Sequence, residues 1–275
     1  MAIPVEVAAS YGACGDWRGS LQGDFSSPDR ITFSGRYPLA CGERVWPVAY
    51  VAPRLYAGRV IEAMWRNAGG QLAGAVREEA LPRTARLLIT ADSLPLADII
   101  ADVNKFSNNV MAQQVFLTLS SQLPNSSGVA GRVGNFAASQ RNIAAWWKSR
   151  LPQAAPPVLE NGSGLSRMER ASAASLNSLL QLAAASPQAQ VFANSMGLAG
   201  VDGTVARMRE RNAASAAIGQ AQLKTGTLKD VAAIAGYANA QNGQRYSVVG
   251  IINHPNAGAA RPALDALVEW AVKQR

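Results

Sequence analysis

Apolar and polar positions along the chain change period twice, and the changes divide it into three stretches. The first 85 residues mix short strand-like pieces, "RITFSGRY" (30–37), "RVWPVAYV" (44–51) and "QLAGAVREEA" (71–80), with one helical stretch, "PRLYAGRVIEAMWRNAGG". In that stretch Leu55, Val60, Ile61, Met64 and Trp65 recur at helical spacing, and Gly69-Gly70 stops it. The pattern predicts a small β-rich unit over 1–85, punctuated by Pro82.

The second stretch runs from "ARLLITADS" to about residue 220 and reads as helical, with helices predicted at 95–106, 108–120, 137–150, 172–185 and 203–212. Ser107 is placed to cap the second of these, ahead of the apolar positions Val110, Met111, Val115 and Phe116. Ser166 and Glu169 have capping-box spacing ahead of "SLNSLLQLAAA", and Pro187 follows that run as a stop. Between helices, "NGSGLSR" (161–167) is too rich in glycine for a regular element and reads as a loop.

In the third stretch the period becomes that of strands. "QAQLKTGT", "VAAIAGYANA" and "QRYSVVGIIN" predict three antiparallel strands, the last two joined at Asn242-Gly243, a dipeptide suited to tight hairpins. The closing segment "AARPALDALVEWAVKQR" is amphipathic, so Leu264, Leu267, Val268 and Val272 are expected to cover one face of that sheet.

Composition narrows the function classes. The chain of 275 residues is 48% hydrophobic with mean hydropathy near zero, which is that of a folded globular protein. No run reaches the ~18 to 20 apolar residues of a membrane span, and the N-terminus has no recognisable export signal. The net charge of +8 favours negatively charged partners, but the basic residues are scattered without interleaved aromatics, so no nucleic-acid partner is expected. A single histidine, His254, excludes a histidine-rich zinc site. Neither a metal nor a nucleotide cofactor is expected, since ligand clusters and phosphate loops are absent from the sequence. With no G-x-S-x-G elbow, a triad built on His254 has no support. Cys14 and Cys41 stand in a glycine-rich stretch that suits either a loop-closing disulfide or two buried thiols.

Two clusters carry candidate chemistry. Ser107 and Asn109 lie two apart in "NKFSNNVMAQQVF", and Lys224, Thr225, Gly226 and Thr227 form "KTGT" on a predicted strand. Each alone has an ordinary explanation: Ser107 as a helix cap, and Lys224 as an edge-strand charge against aggregation. Together, in this order and on these elements, they match two of the three motifs of penicillin-recognising enzymes. Lys224, Thr225 and Thr227 would hold a substrate carboxylate by charge-assisted hydrogen bonds while the strand edge pairs with the peptide. Gly226 would allow close backbone approach, Asn109 would hold the substrate amide and Ser107 would relay a proton to the departing amine.

Longer blocks extend the likeness: "CGDW", "YPLACGE", "SLPLADII", "VNKFSNNVMAQQVFLTL", "NGSGLSRMER", "LAGVDGT", "LKTGTLKDVAAIAGY" and "IINHPNA". The chain resembles the C-terminal portion of the D-alanyl-D-alanine carboxypeptidase/endopeptidases, the class C low-molecular-mass penicillin-binding proteins. The resemblance implies an α/β transpeptidase-like fold, an antiparallel sheet flanked by helices. It makes residues 1–85 a remnant of an accessory domain and 86–275 the C-terminal part of the catalytic domain. It further implies a periplasmic hydrolase of peptidoglycan stem peptides that binds β-lactams, with Ser163 and Ser166 near the cleft and Cys14 bonded to Cys41.

One departure stands out. Three residues before Lys105, Lys148, Lys224, Lys229 and Lys273 stand Asp102, Ala145, Ala221, Gly226 and Trp270, so the sequence holds no Ser-x-x-Lys. The nucleophile and its lysine base are therefore expected on a segment that precedes these residues, and this chain alone is expected to be inactive. The alternative is a non-catalytic protein that binds D-Ala-D-Ala peptides in the cell wall.

Overall fold

The computed structural model describes residues 5–122 and 133–275. It separates into two compact units, the division falling between Thr90 and Ala91.

The N-terminal unit holds strands β1 (Ala8–Ser10), β2 (Leu21–Asp24) and β3 (Thr32–Pro38) and helix α1 (Pro53–Asn67). The sheet order is β1-β3-β2, with β1 parallel and β2 antiparallel to β3. Its packing is aromatic. Phe25 and Phe33 pack against Trp46 with ring centroids 5.8 and 5.6 Å away, and Trp17 meets Trp46 edge-on at 5.8 Å. Cys14 and Cys41 are joined in a disulfide.

Two predicted strands of this unit are not formed. "RVWPVAYV" runs as irregular chain, because Pro47 lacks a ladder donor and Trp46 turns into the aromatic cluster. "QLAGAVREEA" is also without strand structure, and among the described residues no strand pairs with it. Helix α1 forms where its spacing predicts, but Leu55, Ile61, Met64 and Trp65 are more than half exposed.

The C-terminal unit is built on a four-stranded antiparallel sheet in the order β4-β5-β6-β7. Its strands are β4 (Gly197–Leu198), β5 (Ala221–Leu228), β6 (Val231–Asn239) and β7 (Arg245–Asn253). Residues paired across the sheet share a face. Leu223, Ile234 and Val248 point to one side, where Leu264, Val268 and Val272 of α8 (Arg261–Val272) complete the main core. Ala235, Tyr237 and Val249 point to the other, against α5 (Ala173–Ala184) and α6 (Ala189–Ser195) through Leu180, Phe192 and Met196. The β6–β7 turn follows the predicted Asn242-Gly243, with Gly243 at φ 79°. The two-residue β4 and helix α6 were not predicted; both are too short to show a period.

The helical layer holds α2 (Leu96–Phe106), α3 (Asn109–Gln122) and α4 (Phe136–Arg150). Helices α3 and α4 are tied where the fully buried Ser139 donates to the Phe116 carbonyl at 2.6 Å. The predicted helix over 203–212 is split into a 3-10 turn, Gly203–Ala206, and a short α7, Arg207–Arg211.

Two predicted caps move by one residue or more. Ser107 ends α2 and does not begin α3; the cap of α3 is Asn108, whose Oδ1 accepts from the Met111 N–H at 3.1 Å. Ser172, not Ser166, caps α5, accepting from Ser175 N–H at 3.0 Å. Ser166 instead turns the loop by accepting from Met168 N–H, and Glu169 accepts from Glu160 and Asn161 N–H.

Candidate active site

Strand β5 has one covered edge and one largely open edge. On the covered side it pairs with β6 along its length, Lys224 opposite Ala235 and Thr227 opposite Ala232. On the other side β4 reaches only Gln222 and Leu223. From Lys224 to Leu228 no strand among the described residues occupies that edge, which leaves a place for an extended ligand to pair, although the Thr225 carbonyl there already accepts from Lys224 Nζ.

Facing this edge is the junction between α2 and α3. Ser107 closes α2 in the left-handed region, φ 53° and ψ 48°, a conformation that costs a non-glycine residue on the order of 1 kcal/mol. Several contacts hold α2 in place against that cost. Lys105 Nζ meets Asp202 Oδ2 at 2.7 Å, and Asp202 Oδ1 accepts from the Leu198 N–H at 2.7 Å. Burial works against the charge on Asp202, but the Lys105 ammonium and the Leu198 N–H outweigh it and hold the carboxyl below its ordinary value. Asn104 Nδ2 donates to the buried Ser195 at 2.9 Å. Gly203, at φ 58°, lies so close that a Cβ there would come within 2.7 Å of the Lys105 carbonyl, which bars larger residues from this junction.

The two sequence clusters meet here. Lys224 Nζ donates to Ser107 Oγ and to the Thr225 carbonyl, both at 2.8 Å, across 117 positions of sequence in the first case. Burial lowers the Lys224 pKa from its ordinary value. An ammonium whose proton is loosened in this way, bonded to a serine hydroxyl, forms a path along which a proton can pass between Nζ and a group beyond Oγ. Asn109, half-buried, begins α3 two residues further on.

Strand alternation separates residues that the sequence reading had grouped. Lys224 and Gly226 lie on the face of β5 turned toward α5 and α6, whereas Thr225 and Thr227 share the α8 face with Leu223. Thr225 Oγ1 is 2.9 Å from Thr204 Oγ1, and Thr227 Oγ1 accepts from Arg261 Nη2 at 3.1 Å. A pocket on that face is lined by Thr204, Arg207, Thr225, Thr227 and Arg261. Among the described residues the Lys224 ammonium bonds Ser107 Oγ and the Thr225 carbonyl, and no hydrogen bond joins it to either threonine hydroxyl. The spacing of two residues between Thr225 and Thr227 already implied their common face; Thr204 entered the sequence only as the last residue of the block "LAGVDGT", without a role, and Arg261 carried no signal.

Ser163 and Ser166 have other partners. Ser163 Oγ donates to Asn161 Oδ1 at 2.6 Å, and no hydrogen bond joins either serine to Ser107 or Lys224 among the described residues. Their loop reaches the rim through Arg167, whose Nη1 donates to the Lys229 carbonyl at 2.8 Å just beyond β5. No group of three or more potential metal ligands occurs among the described residues.

A family model described as the D-Ala-D-Ala carboxypeptidase 3 (S13) family matches residues 12–274. The chain belongs to this S13 family. A curated D-alanyl-D-alanine carboxypeptidase of Actinomadura sp. (strain R39) is 30% identical over 217 residues, which cover 76% of this chain and 38% of the relative. DacB, a D-alanyl-D-alanine carboxypeptidase of Haemophilus influenzae, is 25% identical over 203 residues, covering 74% of this chain and 41% of its own length. The chain thus spans about two fifths of the curated relatives it matches. In fold, the S13 chain superposes on the crystal structure of Haemophilus influenzae penicillin-binding protein 4 in complex with a β-lactam. The TM-score is 0.66 at 21% identity, over 96% of this chain and 61% of that one. The sheet and its flanking helices are those of a penicillin-binding protein.

Gly226 offers a test of the cleft in this S13 chain. A Cβ added there would meet only the Ala233 Cβ, at 3.6 Å, so the protein itself tolerates it. Gly226→Ala is expected to shift the melting temperature by no more than a few degrees. The methyl would project on the Lys224 side of the open edge, so pairing of any extended ligand with this edge is expected to weaken about tenfold or more. Unchanged affinity for an extended ligand would mean that the ligand does not pair with this edge.

Proposed function

We propose that this chain supplies the strand-and-relay half of a serine D,D-peptidase site that acts on peptidoglycan stem peptides ending in D-Ala-D-Ala and is acylated by β-lactams. The observation that carries the reading is the 2.8 Å bond between Lys224 Nζ and Ser107 Oγ beside the unpaired edge of β5. A peptide laid along that edge gains main-chain hydrogen bonds from β5. Asn109 bonds its amide, and Ser107 with Lys224 conducts the proton that the leaving amine requires. The nucleophilic serine and its base belong to a Ser-x-x-Lys segment outside these 275 residues. The N-terminal unit is read as part of an accessory domain. The Cys14–Cys41 bond supports an oxidising, periplasmic location.

Calorimetric titration of N-acetyl-D-Ala-D-Ala into the chain tests the reading. Binding is expected, and Lys224→Met should weaken it about tenfold by leaving Ser107 without its ordering donor. The same substitution is expected to preserve or raise stability at neutral pH. The folded pKa of Lys224 lies below the unfolded value, so burying the ammonium weakens the fold below the folded pKa, and the penalty fades as pH rises through it. No binding to the wild-type chain would refute the proposal.

A second reading, a non-catalytic protein that binds D-Ala-D-Ala peptides in the cell wall, draws on the missing Ser-x-x-Lys. The gene upstream of Met1 separates the two, since an in-frame Ser-x-x-Lys favours the enzyme.

A further inference from the structure

We propose that Arg261 provides the positive charge that selects ligands with a free C-terminal carboxylate. This rests on the reading that a D-Ala-D-Ala peptide lies along the open edge of β5, and adds to it the group that reads the peptide's end.

A carboxylate held by two threonine hydroxyls alone would leave most of its charge uncompensated, so a cation is needed on the threonine face. Lys224 is committed elsewhere, since its ammonium is bonded to Ser107 and the Thr225 carbonyl and, among the described residues, to neither threonine hydroxyl. Arg261 already touches the threonine face, with Nη2 3.1 Å from Thr227 Oγ1. It is the first residue of α8, followed by Pro262, whose fixed φ stiffens the backbone at this point.

The charges around it decide what it can bind. Arg211 lines the same pocket but is neutralised by a two-pronged pair with Asp265, at 2.6 and 2.9 Å. Among the described residues neither Arg261 nor Arg207 lies within salt-bridge distance of a carboxylate. The pocket therefore carries a positive surplus. A guanidinium offers parallel N–H donors that match a carboxylate, and the Thr225 and Thr227 hydroxyls can donate from the strand side once Arg261 turns its donors from Thr227 to the ligand. A peptide amide in that place has no charge for Arg261 to meet.

The test is a pair of ligands, N-acetyl-D-Ala-D-Ala and its C-terminal amide. Each is titrated into the 275-residue chain while the amide N–H shifts of residues 224–228 are followed by NMR. The wild-type chain is expected to prefer the acid about tenfold. In Arg261→Gln that preference should fall to about twofold with amide affinity unchanged, and Arg261→Lys should retain an intermediate preference. A preference kept in full by Arg261→Gln would overturn this assignment while leaving the proposed function standing. A loss shared equally by acid and amide would also overturn it, since Arg261 would then serve only to position Thr227. Saturable binding of neither ligand to the wild-type chain would overturn the proposed function and this assignment together.

Discussion

Fluorescent penicillin incubated with the purified 275-residue chain is expected to leave no label that survives denaturing electrophoresis, whereas a complete family member run beside it is labelled. Acylation requires a serine oxygen to attack the lactam carbonyl as its proton passes to a base, after which the carbon–nitrogen bond breaks and the ring nitrogen takes a proton. None of the three candidate serines is set up for the first step. Ser107 Oγ accepts from Lys224 Nζ, which also donates to the Thr225 carbonyl, so in its ammonium form that lysine is a donor and not a base. Ser163 Oγ donates to the Asn161 amide oxygen, and Ser166 Oγ accepts from a backbone N–H; neither partner can take up a proton. Joining an upstream Ser-x-x-Lys segment to the chain should restore labelling. Label mapped to Ser107 in the chain alone would sink the proposal, and would mean that Lys224, its pKa lowered by burial, gives up its proton often enough to act as the base.

The sequence made the sheet of the C-terminal unit readable because each strand there has enough residues to show its period, and because Asn242-Gly243 fixes where β6 and β7 reverse. The helices were readable for the same reason, but their ends were less so. Ser107 has the chemistry of an N-cap, yet Asn108 beside it takes that role, since Ser107 is needed in a left-handed turn facing Lys224. The N-terminal unit was harder. Its strands are three to seven residues long, and its apolar side chains pack as an aromatic cluster around Trp46 that has no period to detect. At the site, motif spacing named Ser107, Asn109 and the Lys224–Thr227 run, but adjacency in sequence suggested that Lys224 and its threonines act on one group. In a strand adjacent residues face opposite ways, so the run serves two faces at once. The partners on the second face, Thr204 and Arg261, come from a 3-10 turn and from the start of α8, and only the folded chain brings them to β5.

Reduction of the Cys14–Cys41 bond is expected to unfold the N-terminal unit while the C-terminal unit keeps its structure. Cys41 is the only buried residue of the N-terminal unit among the described residues, so its hydrophobic core is small. Its strands of three, four and seven residues form a sheet that few side chains cover. In the chain-entropy account, opening a loop closed at a separation of 27 residues costs about 3.5 kcal/mol. A unit of this size has little more stability than that to lose. The C-terminal unit, whose core joins β5, β6, β7 and α8, holds no cysteine and should be indifferent. Two observables separate the units. The near-ultraviolet circular dichroism of the Trp17, Phe33 and Trp46 cluster should collapse on adding reductant, and its melting midpoint in Cys14→Ser/Cys41→Ser should fall by roughly 15 °C or more. Amide protection across β5 to β7 should stay unchanged. Intact mass should rise by two hydrogens on reduction. Two free thiols in protein from an oxidising compartment, or an aromatic signal that melts alike with and without reductant, would remove the disulfide as the main support of this unit and, with it, the structural argument for a periplasmic location.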